Sequence, residues 1–244
     1  MPIFFHRLYI AFVFFLPGIS FAGEQLVAGN FSGHSPKVES PNHWGELYFK
    51  SVPNHTVYSH VLDEGIWVIQ AKSNASSSAL IRKINIDSER NPIISFRWKI
   101  QNIIESADLK NKNTDDAPAR IYIIFAYDST KVTWWETLKY EAIKHYYGKY
   151  PPLASLVYVW ASHGVQGEII ESPYTDRIKI ITLETGAENK DNWLSENRDI
   201  RADYYAAFGS SDVPMISGVG IMTDSDNTEE QAMAWYGDIV FSTR

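Results

Sequence analysis

From Leu47 onward, hydrophobic positions come in short runs rich in aromatic and β-branched residues, and turn residues interrupt them at intervals of roughly ten positions, the periodicity of an all-β chain. Strands are expected at Leu47–Lys50, Thr56–Leu62, Ile66–Ala71, Ala79–Ile84, Ile93–Ile100, Ala119–Ala126, Leu156–Trp160, Ile178–Leu183, Ser217–Thr223 and Trp235–Phe241. Within Ser95–Ile100, Phe96, Trp98 and Ile100 alternate with Arg97 and Lys99, so one face is buried and the other is wet. The Ile121–Phe125 run is almost continuously apolar, which predicts a strand covered on both faces. Two stretches break the pattern. Thr133–Tyr147 places Trp134, Leu138 and Ala142 four residues apart, and Leu194–Phe208 stops at Gly209; both read as helices. Two helices cannot cover a parallel sheet on both faces, so the expected fold is a mainly antiparallel all-β sandwich of jelly-roll type with two helical insertions. A closed barrel of lipocalin kind would need hairpins that these insertions interrupt.

The start of the chain departs from this pattern. His6 and Arg7 precede the apolar run Leu8–Leu16, Pro17 and Gly18 break it, and Ser20-Phe21-Ala22 supplies small residues for cleavage. Residues 1–22 read as a secretory signal peptide and residues 23–244 as one domain, with a periplasmic or secreted destination. The run is far short of the roughly 20 residues of a membrane span, and no later segment reaches that length. There are 22 basic and 29 acidic side chains among 244 residues, a net charge of −7, which argues against a nucleic-acid partner. Cysteine is absent, so disulfides, thiolate metal sites and cysteine nucleophiles are excluded.

The segments Asp115-Asp116-Ala117-Pro118-Ala119-Arg120-Ile121-Tyr122, Tyr158-Val159-Trp160-Ala161, Glu196-Asn197-Arg198-Asp199-Ile200 and Met222-Thr223-Asp224-Ser225-Asp226-Asn227-Thr228, with Tyr236-Gly237-Asp238-Ile239, resemble an exported bacterial family catalogued as domain of unknown function 3047. The resemblance runs from Trp44 to Phe241 and implies an exported domain without implying a reaction. The layout is also similar to the galactose-binding-like jelly rolls of carbohydrate-binding modules, a likeness of fold alone. Thr133–Pro152 is longer and more aromatic than the family pattern.

Asp224, Asp226 and Asn227 gather three oxygen-bearing side chains just after an apolar strand, where a hard cation such as calcium could be held or where a polar turn could bond its own backbone. The helix-loop-helix calcium pattern fails, with Glu229 where glycine is needed and Trp235 where the last glutamate belongs. Arg120 can fork onto Asp116 or Asp238 as an ion pair or a ligand clamp. Arg198 and Arg201 share one face of the expected second helix; that face is either solvated or lets Arg198 order the Asp224–Asn227 turn. Aromatic residues make up 14% of the chain, and Trp98, Trp134, Trp135, Trp160 and Trp235 raise stacking on sugar rings, although most tryptophans in sandwiches belong to the core. His163 sits in a loop with no nucleophile paired to it, and neither Gly-x-Ser-x-Gly nor a phosphate-cradling glycine loop occurs.

Two functions follow. One is a non-catalytic binding module for a carbohydrate-like ligand or a protein partner, with ligand residues Asp116, Arg120, Trp160, Arg198 and Asp238, and calcium at Asp224, Asp226 and Asn227. The other is a glycan hydrolase or lyase using two carboxylates among Asp116, Asp224, Asp226 and Asp238. Carboxylates saturated by arginine favour the first; a free pair in a cleft favours the second.

Overall fold

The computed structural model describes residues 25–33, 43–132, 137, 140–141, 144 and 152–244. In chain order its strands are β1 (Gln25–Gly29), β2 (Trp44–Tyr48), β3 (Val57–Asp63), β4 (Ile66–Asn74), β5 (Ser78–Ile86), β6 (Ile93–Ile100), β7 (Ala117–Phe125), β8 (Ser155–Ala161), β9 (Ile169–Ser172), β10 (Thr175–Thr185), β11 (Leu194–Asp199), β12 (Ile216–Asp224) and β13 (Gln231–Ser242), with helix α1 (Ile200–Phe208) between β11 and β12. They form two sheets. One has the order β11-β6-β13-β4-β3, with β1 also paired to β13; the other has the order β2-β5-β12-β7-β8-β10-β9. Both are antiparallel except where β8 and β10 run side by side in parallel. Among the described residues neither sheet closes on itself, so the fold is a sandwich and not a barrel.

Alternation decides what faces inward. Phe96 and Trp98 of β6 meet Tyr158 and Trp160 of β8 across the gap, with ring centroids 6.0 and 6.1 Å apart. All four side chains are buried, and burying each large side chain stabilises the fold by roughly 1.5–3 kcal/mol. Every residue of β8 is buried, because its outward Val157, Val159 and Ala161 pack with Leu109, Ala117, Ile170 and Ile180 in a second apolar cluster. The 7-stranded sheet is therefore partly covered on its outer face as well, and a groove opens beside that cover.

β1, β9 and β11 are strands that the hydrophobic pattern did not predict, and β2 begins at Trp44 instead of Leu47. Leu194–Phe208 is a correction: its first half is the edge strand β11, in register with β6 from Leu194↔Trp98 to Asp199↔Ile93. The helix starts only where the Asp199 carboxylate accepts from the Arg201 and Ala202 amides at 3.0 and 3.2 Å, and it stops at Gly209, whose φ of 71° suits glycine. The helix expected over Thr133–Tyr147 lies mostly outside the described residues, as does the expected signal peptide at 1–22. No described helix is long and apolar enough to cross a membrane.

Candidate functional site

β7 and β12 are neighbours in the 7-stranded sheet, with Met222 opposite Arg120 and Asp224 opposite Ala117. That register carries the Arg120 side chain to the start of the turn after β12. Arg120 is 2% exposed and forks onto Asp224, Nε to Oδ1 at 2.8 Å and Nη2 to Oδ2 at 3.1 Å. Its Nη2 also donates to the Asp115 carbonyl at 2.9 Å and carboxylate at 3.0 Å. From the core side, the Tyr236 hydroxyl accepts the Arg120 amide at 3.3 Å and donates to the Met222 carbonyl at 2.6 Å, tying the 6-stranded sheet to the spot where Arg120 leaves β7.

Asp116 has a different task. Fully buried, it accepts from the amides of Asn227 and Thr228 at 3.3 and 2.7 Å and from the Thr228 hydroxyl at 2.7 Å. It thereby holds the turn after β12, as an N-cap carboxylate holds a helix. Asp116, Asp224 and half-buried Asp226 each offer an oxygen within 4.8 Å of the others. Burial pushes the Asp224 carboxyl up to about 8, Arg120 opposes that shift, and Asp116 and Asp115 reinforce it. Asp226 is raised as well, by burial and by Asp116. Arg120 is held well above its ordinary value by Asp115 and Asp224 although its burial opposes this. Both partners of the ion pair are raised: Asp115 and Asp224 share the one guanidinium, while Asp115 and Asp116 crowd negative charge against Asp224. Asp224 and Asp226 each retain a proton more readily than a lone carboxylate does.

This cluster closes one end of a cavity of about 540 Å³ on the outer face of the 7-stranded sheet. The floor is apolar, with Tyr122, Val157, Ile180 and Met222, and Phe49 and Tyr174 rise from loops at its sides. Tyr174 is 52% exposed; the Lys112 ammonium lies 5.2 Å from its ring centre, and its hydroxyl donates to the Lys112 carbonyl at 3.1 Å. Asn113, Asn227 and Ser172 add amide and hydroxyl groups to the lining. An apolar floor with a few convergent polar groups is the usual make-up of a small-molecule site.

The structure thus brings together Asp116, Arg120, Asp224, Asp226 and Asn227, and it separates the other expected residues from them. Arg120 pairs with Asp224 and Asp115, not with Asp116 or Asp238, because Asp116 turns toward the Asn227–Thr228 backbone. Asp238 lies on β13 of the other sheet and accepts from the Ser32 amide at 2.8 Å and from its hydroxyl. Trp160 is fully buried between the sheets and donates to the Gly186 carbonyl at 3.0 Å, so it offers no stacking face. Arg198 stands on β11 and not on a helix, and its partner is Asp203, with Nε to Oδ2 at 3.0 Å, so it does not order the turn after β12. Trp98 is core, half-buried Trp235 packs under Lys99, and Trp134 and Trp135 lie outside the described residues. His163 bonds the Glu105 carbonyl at 2.8 Å. Asp115, Lys112, Phe49, Tyr122 and Tyr174 were not foreseen as site residues. Asp115 sits in the same acidic pair as Asp116, which was a signal; Tyr174, in a tight turn between β9 and β10, gave none.

For a calcium ion the donor set is poor. Arg120 already occupies both Asp224 oxygens, and three donors hold Asp116, leaving fewer open positions than the six to eight oxygens calcium takes.

A family model described as "Protein of unknown function (DUF3047)" matches residues 42–240. Among curated proteins no sequence matches the chain. Similar solved structures include a family 30 carbohydrate-binding module of a cellulosomal cellulase from Clostridium thermocellum, with 8% identity and a TM-score of 0.43 over 91% of this chain and 98% of that one. The K1 cleaved adhesin domain of Lys-gingipain from Porphyromonas gingivalis W83 is 10% identical with a TM-score of 0.39, covering 91% and 99%. A variant of a family 29 carbohydrate-binding module is 10% identical with a TM-score of 0.36, covering 91% and 92%. At these scores no ligand follows from the likeness.

Proposed function

The chain belongs to the DUF3047 family, and from that footing we propose that it is a non-catalytic, extracytoplasmic binding domain whose groove on the outer face of the 7-stranded sheet takes a neutral, carbohydrate-like ligand. The observation that carries this reading is the state of the carboxylates beside the groove. Arg120 spans both Asp224 oxygens, and the Asn227–Thr228 segment holds Asp116. A glycan hydrolase needs one carboxyl free to donate a proton and a second free to attack or to activate water. Here the same groups are spent on shaping the groove wall. Tyr174 and Phe49 supply flat apolar area for a sugar face, and the amides and hydroxyls beside them suit its hydroxyl groups. Arg120, in place of a calcium ion, neutralises the acids. Export by the segment 1–22 would deliver the domain outside the cytoplasm.

The test is calorimetric titration of the chain from residue 23 with a panel of neutral oligosaccharides. At least one should bind, and Tyr174→Ala should weaken it by roughly tenfold, the worth of one aromatic stack. If no glycan binds, or if Tyr174→Ala binds as well as the parent, the reading is wrong, and a protein partner becomes the better candidate. Calcium followed by a chelator should leave the melting temperature unmoved. Glycan turnover that disappears in Asp224→Asn would replace the binder with an enzyme.

A further inference from the structure

The outer face of the 6-stranded sheet carries an open cavity of about 380 Å³, on the far side of the sandwich from the groove. Register sets its floor. Ser195 and Asn197 of β11 lie opposite Arg97 and Ser95 of β6, and Val240 of β13 lies opposite Ser95 on the other flank. These side chains point away from the core, because the alternate residues Ile94, Phe96, Ile239 and Phe241 belong to it. The floor is therefore small and mostly polar, and the Asn197 amide donates to the Ser95 hydroxyl at 2.9 Å. Arg97 forms the wall. Its guanidinium lies over the Trp193 ring, 4.5 Å from the centre, and Trp193 is itself fixed by donating Nε1 to Asp63 at 2.8 Å. On the other flank β13 bulges between Tyr236 and Ile239, and a Cβ on Gly237 would come within 2.5 Å of Arg97 Cγ and 2.6 Å of its Nε. Gly237 lacks the positive φ that favours glycine, so it is there to give Arg97 room. Every other arginine among the described residues donates to or pairs with an oxygen of the chain. Arg97, among these residues, makes no ion pair and no hydrogen bond. Asp63 is taken by Lys99 at 2.6 Å as well as by Trp193, and Asp238, which also lines the cavity, is taken by Ser32. A latch for the edge strand β11 would need the stack on Trp193 alone. A guanidinium seated by a bulge, a glycine and a tryptophan, with its donors left open to a cavity, is built to receive something.

We infer that this cavity is a second ligand site, independent of the groove, and that it takes an acidic sugar unit whose carboxylate forks onto Arg97 and whose ring hydroxyls reach Ser95, Asn197 and Asp238. Stacking uses the flat face of the guanidinium and leaves its in-plane donors, spaced to match a carboxylate, free to bind. Asp238 sets the rest of the choice. Ring hydroxyls can donate to it, whereas an acidic peptide would bring further negative charge against it.

Titration calorimetry tests the assignment with glucuronate, with glucose, which carries a hydroxymethyl group in place of the carboxylate, and with a glutamate tripeptide. Glucuronate should bind at least about tenfold more tightly than either of the others. Arg97→Gln should lose about tenfold in glucuronate affinity, Gly237→Ala, which pushes Arg97 from its seat, should lose about as much, and Asn197→Ala should lose severalfold. Failure of glucuronate to bind, equal binding of glucose, or full affinity in Arg97→Gln would each overturn the assignment. Tighter binding of the tripeptide would overturn it too and make the cavity a peptide site. Should Arg97→Gln and Gly237→Ala fail to fold, judged by their melting temperatures, the three ligands on the parent and Asn197→Ala still decide.

Discussion

At Arg120 one guanidinium serves Asp115 and Asp224 while Asp116 stands close by, all of them nearly without solvent. Removing that charge leaves buried acids without compensation, so Arg120→Met should cost about 3–5 kcal/mol in urea denaturation at neutral pH. Arg120→Lys keeps the charge but not the fork and should fall between parent and Arg120→Met. The raised Asp224 carboxyl also fixes the sign of a pH effect. An unfolded aspartate releases its proton near 3.9, whereas the folded one holds it up to about 8. Within that window the folded chain binds more protons, so this group's contribution is present in acid and is lost as pH rises toward 8. The melting temperature should therefore decline between about pH 5 and pH 8, and Asp224→Asn should flatten the decline. A parent profile that is flat or rises over that range would contradict the assignment. Asp63, Asp199 and Glu230 are depressed instead, and their contributions fade only at the acid end.

At the scale of elements, α1 depends on its ends. Asp199 caps two amides and also accepts from Arg244, Nη2 to Oδ2 at 2.7 Å, so Asp199→Ala should cost about 1 kcal/mol, visible as a lower urea midpoint and faster amide exchange in the first turn. How much could be read from the sequence varied with how cleanly each element separates its faces. In β6, apolar and charged residues alternate, and in β7 an apolar run marks cover on both sides, so both were legible, as was the stop at Gly209. In β11 the inward positions are Leu194, Glu196 and Arg198, two of them charged, so the alternation vanishes and the strand reads as the start of a helix. The acidic turn after β12 was legible as a candidate site. The burial of Trp160 was not, since a tryptophan on a strand reveals its face only once the partner sheet is placed. Nor was the inward turn of Asp116, because a side chain's choice between two polar neighbours depends on backbone that arrives from more than a hundred residues away.

Over the whole molecule the site is a meeting of distant segments: Arg120 and Asp224 are 104 residues apart, and Asp116 and Thr228 are 112 apart. Such topologies fold slowly, because long loops must close before their contacts form. The arrangement of β12 and β13 sharpens this. β12 lies inside one sheet between β5 and β7, and β13 lies inside the other between β4 and β6, yet they are the last two strands to be made. Until Ile216–Ser242 has left the ribosome, β5 has no β7-side neighbour and β6 has none toward β4. The nascent polypeptide must therefore wait as an open, unlatched chain until that segment emerges, a state that a protease can cut. Arrested chains ending before residue 216 should be digested throughout by a dilute protease, while the released protein resists it.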